Sequence, residues 1–125
     1  MLDEAVAFFA CYGHNASAMF STIEPQCERA AQVSLTRAHK LFSQLERLAD
    51  PIGPFLASAG HQPTIVDCIA MATLQFATEV YEVDVAAPHP RLRTMYEAFV
   101  VRPSAAWDAP LPEEYKEMAR TMSVR

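Results

Sequence analysis

The sequence predicts an all-α protein, a bundle of about five helices in one domain over residues 1–125. Three observations carry that expectation. No Gly or Pro falls between Pro25 and Pro51, and none between Pro63 and Pro88. Each gap is long enough for a helix of several turns. Apolar residues recur at three- and four-residue steps in both gaps and before them, and no strand alternation occurs.

The first segment, Asp3 to Thr22, places Ala5, Phe8, Phe9, Tyr12, Ala16, Met19, Phe20 and Ile23 at helical steps. Leu2, Val6 and Ala10 lie on other faces, so this helix needs cover on more than one side. Gly13 inside it costs about 1 kcal/mol relative to Ala and suits a close backbone approach. The second helix is expected over Gln26 to Ala49, with Cys27, Ala30, Ala31, Leu35, Ala38, Leu41, Phe42, Leu45 and Leu48 as its apolar stripe. His39 lies at the stripe edge, where packing explains it better than ligation.

Asp50-Pro51-Ile52-Gly53-Pro54 breaks the pattern, and Phe55-Leu56-Ala57 is a brief apolar return. Thr64-Ile65-Val66-Asp67 reads as a capping box with Asp in the place of Glu. Thr64 is the N-cap, and Asp67 returns a bond to its amide from the positive end of the helix dipole. The helix it opens runs to about Val83 and is expected to be the buried central one. Pro90 fits the first position of a fourth helix, with Leu92, Met95, Tyr96, Phe99 and Val100 as its apolar face. Arg102-Pro103-Ser104 ends it. Ser104 is expected to cap a further turn through Trp107. A last helix is expected over Pro112 to Met122.

Composition excludes several classes. The formal charge is −5, and the basic residues do not cluster, which argues against nucleic acid. Asp67, Thr73, Gln75 and Glu79 interrupt the best apolar run, and no basic segment precedes the first one. Neither a membrane span nor a secretory signal is expected. Cys11, Cys27 and Cys68, an odd number with no close pair, read as thiols of a reducing compartment that pack as small buried hydrophobes. A cytoplasmic location follows as an expectation. The four His share no metal-ligand spacing, and no phosphate loop, nucleophile elbow or zinc-protease motif occurs.

Resemblance goes further than composition. Gly60-His61-Gln62-Pro63-Thr64-Ile65-Val66-Asp67 resembles the segment that enters the core helix of the C-terminal domain of cytosolic glutathione transferases. That family usually has an aromatic-Leu pair, a Gly, a short polar loop, then Ser/Thr-x-x-Asp; Phe55-Leu56 stands as the pair here. His89-Pro90-Arg91-Leu92, followed by Arg102-Pro103-Ser104, resembles the family's penultimate helix and its Arg-Pro-Ser ending. The likeness spans essentially the whole chain. Phe8-Phe9-Ala10-Cys11-Tyr12-Gly13-His14-Asn15 is also similar to the first helix of the bacterial beta-class branch, which commonly shows Glu-Leu-His-Lys. His14 matches the His that lies near bound glutathione in that branch. Tyr12, Gly13 and Asn15 depart from the residues around it.

The resemblance implies a glutathione transferase C-terminal-like helical domain that forms one wall of an apolar substrate pocket. Phe9, Tyr12, His14, Met19 and Trp107 are the implied substrate-binding residues, Thr64 and Asp67 the structural capping pair. It implies no catalytic residue and no metal here. The family's thiol-activating Tyr, Ser or Cys sits in an N-terminal thioredoxin-like domain, and no such strand pattern occurs in this sequence. The chain by itself is therefore expected to be inactive and to bind no cofactor, with glutathione implied only for the full-length family. The implied partners are a second copy of the chain or a thioredoxin-like domain, together with an apolar small molecule. Two other readings stand beside this one: a free-standing interaction or dimerisation module, and a small protein that binds an apolar metabolite between helices.

Overall fold

The computed structural model describes residues 1–17, 20–57, 60–81 and 83–106. These residues hold four α-helices and no strand: α1 (Leu2–Ala16), α2 (Glu28–Leu48), α3 (Ile65–Tyr81) and α4 (Pro90–Val100). The protein is all-helical, with four helices among the described residues rather than about five. The expected Pro112–Met122 helix lies outside the described residues. The chain divides into two compact units, Met1–Leu2 with Lys40–Ala106, and Asp3–His39 with residues 107–125.

In the Lys40–Ala106 unit, α3 packs on α4. Phe42, Phe55, Leu56, Met71, Leu74, Val85, Leu92, Met95 and Phe99 form its buried apolar core. The Phe55 and Phe99 rings meet edge to face at 6.2 Å. Such pairs add about 1 kcal/mol beyond the area they bury. Gly53 has φ 83, a value open to glycine at little cost, and it turns the loop after α2. The Asp50 carboxylate accepts from the Ile52 amide at 2.8 Å, and the Asp50 amide donates to the Leu56 carbonyl at 2.8 Å. The loop thus closes on itself and delivers Phe55 and Leu56 to the core.

The structure corrects four details. First, α1 ends at Ala16 rather than Thr22. The Gln26 amide donates to the carbonyls of His14 (3.1 Å) and Ser17 (2.6 Å), satisfying groups that a helix end leaves open. Ile23, the last residue of the expected stripe, is exposed. Second, α3 is not buried all round. Asp67, Ala70, Met71, Leu74 and Ala77 form its buried face, whereas Ile65, Ile69 and Phe76 are exposed at 72%, 39% and 40%. The apolar residues occupy two opposite stripes of the helix, and only one of them is buried. Third, all three cysteines are exposed, and so is Leu48 at the end of the α2 stripe. Fourth, the turn after α4 is a short 3-10 helix, Pro103–Ala105, whose N-cap is Arg102, two residues earlier than Ser104. Proline favours the first position of such a turn, because its missing N–H has no partner to lose.

Candidate functional site

Two polar clusters stand out, one at the helix starts of the Lys40–Ala106 unit and one at the α1–α2 turn.

Asp67 is fully buried. One carboxylate oxygen accepts from the Leu56 amide at 2.6 Å. The other accepts from the Thr64 amide and the Thr64 hydroxyl, each at 2.8 Å. The carboxylate therefore caps α3 and also ties the Phe55-Leu56 pair to the helix start. A buried charge is tolerated where hydrogen bonds satisfy it, as here.

The start of α4 is built differently. His89 is its N-cap, and its side chain makes no capping bond. Glu46 of α2 takes that place: its Oε1 accepts from the amides of Arg91 (2.5 Å) and Leu92 (3.1 Å). The Arg91 side chain reaches the other way and donates to the carbonyls of Asp50 (2.6 Å), Gly53 (3.1 Å) and Phe55 (3.3 Å). His89 is buried with its ring edge on to Phe42 at 5.9 Å. These residues hold a loop and a helix start.

Between α3 and α4 a cavity of about 80 Å³ is lined by Leu74, Thr78, Asp84, Ala86, Arg93 and Tyr96. It has room for a few waters and is far smaller than a drug-sized site. Arg93 donates to Asp84, and that bond raises its pKa.

In the Asp3–His39 unit, α1 and the first half of α2 run antiparallel. Asn15 meets Cys27 near the turn, while Phe8, two turns earlier, meets Arg37, whose guanidinium carbon lies 5.4 Å from the ring centre. Phe9 is buried and its ring lies 5.7 Å from that of Tyr12, which is half-buried. His14 stacks on Phe20 at 4.2 Å and 17°. Its Nδ1 lies 3.2 Å from Glu24 Oε2, with both side chains about half exposed. A carboxylate only accepts, so Nδ1 is the donor in this contact. The structure thus brings Phe9, Tyr12 and His14 onto one helix, with Phe20 and Glu24 added from the turn. Met19 and Trp107 lie outside the described residues.

Glu46, Glu24 and Gln26 belong to no motif read in the sequence, and Asn15 enters there only as a departure from the family pattern. Gln26 and Asn15 flank a helix break, a place where polar side chains often satisfy backbone groups. Glu46 carries no such signal, because its partners lie 45 and 46 residues away.

Among the described residues no three His, Cys, Asp or Glu side chains group as metal ligands. No helix among them is long and apolar enough to cross a membrane. Comparison with family models, with curated proteins and with solved structures returns no match.

Proposed function

We propose that this chain is the C-terminal helical domain of a glutathione transferase-like protein. It supplies an apolar wall of the substrate pocket together with subunit or domain contacts, and it does not catalyse conjugation by itself. One observation carries the reading. The buried Asp67 carboxylate bonds both to Thr64 and to the Leu56 amide, so a single group joins the Ser/Thr-x-x-Asp box to the aromatic-Leu pair of the resembling segment. The wall is α1, where Tyr12 and His14 remain half-buried beside the buried Phe9. His14 would offer Nε2 to the polar end of a bound thioether, and Tyr12 its ring to the apolar end.

The test uses the whole chain and S-hexylglutathione. In two-dimensional NMR, the amides around Tyr12 and His14 are expected to shift with S-hexylglutathione and much less with glutathione alone. No glutathione-dependent turnover of chloro-dinitrobenzene is expected, because the thiolate is the nucleophile and the family activates it from another domain. Shifts confined to residues away from α1, or measurable turnover by the pure chain, would overturn the reading.

A second reading, a self-associating module, draws on the exposed stripe of Ile65, Ile69 and Phe76 on α3. Sedimentation separates the two. A dimer that resists dilution and dissociates on Phe76→Ser favours the module, and a monomer, or a dimer that Phe76→Ser leaves intact, favours the pocket wall.

A further inference from the structure

Cys11 and Cys27 stand at the same end of the α1–α2 hairpin, and the side-chain amide of Asn15 touches both residues. Asn15 Nδ2 donates to Cys11 Sγ at 3.7 Å and to the Cys11 carbonyl at 2.9 Å. Asn15 Oδ1 accepts from the Cys27 amide at 3.2 Å. Only one amide group separates the first thiol from the backbone of the second. Both cysteines are exposed. Cys27 immediately precedes α2, and its carbonyl accepts the Ala31 amide. It is thus a boundary residue, where the backbone has more freedom than inside a helix. Burial explains neither cysteine, and the proposed function uses neither.

We propose that Cys11 and Cys27 form a dithiol modification site that a hydroperoxide closes to an intramolecular disulfide. The Cys11 sulfur, as thiolate, attacks one peroxide oxygen. The O–O bond breaks, its electron pair leaves with hydroxide, and Cys11 becomes a sulfenic acid. The Cys27 sulfur then attacks the Cys11 sulfur. The S–S bond forms, the S–O bond breaks, and the departing hydroxide takes the thiol proton as water. In sum, two thiols and hydrogen peroxide give one disulfide and two waters; the sulfurs lose two electrons and the peroxide oxygens gain them. Closure requires the Asn15 amide to swing away, and disulfide geometry requires the two Cβ atoms to come within about 4.5 Å. The bond then clamps the α1–α2 turn that Gln26 and Asn15 hold in the reduced chain. Cys68, on α3 in the other unit, is expected to remain a thiol.

The test treats the full chain with a few equivalents of hydrogen peroxide and alkylates the remaining thiols. No Lys or Arg precedes Arg29, so trypsin leaves Cys11 and Cys27 on one peptide. That peptide is expected to lose two hydrogens and to resist alkylation, while the chain stays monomeric on a non-reducing gel and Cys68 is alkylated. Chymotrypsin, cutting after Phe20, should then yield two fragments that separate only on reduction. In Cys27→Ser, Cys11 is expected to stop at sulfenic acid and be trapped by dimedone, which keeps the test informative apart from folding. Both thiols fully alkylated after peroxide, a disulfide to Cys68, or a predominantly intermolecular product would overturn the proposal.

Discussion

Helices α3 and α4 begin in the same unit, and each takes a carboxylate at its N-terminus. In α3 the carboxylate belongs to Asp67, three residues after the N-cap Thr64. In α4 it belongs to Glu46, on another helix and 45 residues from the amide it meets. The physics is the same in both: a negative group satisfies open amides at the positive end of a helix. The difference is what each cap can hold. A local cap orients its own first turn, and Asp67 exceeds that role only because a second oxygen reaches Leu56. A remote cap ties one helix to another, so Glu46 links the start of α4 to α2 while α3 packs along α4. Arg91 extends the same logic, gathering three loop carbonyls from the start of α4.

Breaking the local cap is expected to do most damage. Asp67→Ala leaves the Leu56 and Thr64 amides without an acceptor at a buried site and should cost about 3–4 kcal/mol. Urea unfolding followed by circular dichroism measures it. Asp67→Asn retains an acceptor oxygen but places an amide donor beside a second donor, and should recover only part of the loss. If Asp67→Ala cost less than Glu46→Ala, the local cap would not be the stronger one.

Glu46→Ala is the matching change at α4. The two amides it serves lie in a first turn that water reaches more easily, so the expected cost is about 1–2 kcal/mol. Its signature is spatial: hydrogen exchange should accelerate at Arg91 and Leu92 while the start of α3 stays protected. Acceleration at both helix starts would mean that the two caps act as one unit.

The smallest effect is a pH dependence that separates imidazoles from these carboxylates. Burial holds the His39 pKa below its ordinary value of 6.5. As the pH falls, the unfolded chain takes up that proton first, so protonation favours unfolding. The His39 contribution is full above about pH 6.5 and declines as the pH drops through that value toward the lowered one. His39→Gln should therefore flatten the fall in the urea midpoint between pH 7.5 and pH 5.5. An unchanged slope would assign the decline to other groups.

The sequence by itself determined what depends on near neighbours. Helical periodicity and the Pro-free gaps placed α2 within two residues at its start and one at its end. Thr64 and Asp67 announced the start of α3, and Pro90 that of α4, because capping and proline geometry act within a turn. What failed depended on residues distant along the chain. The α1 stripe continues to Ile23, yet the Gln26 side chain competes for the His14 and Ser17 carbonyls and the helix ends at Ala16. Cys11, Cys27 and Cys68 look like buried hydrophobes by residue type, but all three are exposed. An apolar residue on α3 is equally apolar in either stripe, and only packing put Met71 inside and Ile65 outside. The tertiary structure also decided the partners of Glu46 and Arg91, since hydrogen-bond complementarity across 36 to 46 residues leaves no local pattern. Local rules therefore established which segments are helices, and long-range packing chose which of their faces are buried and which groups meet.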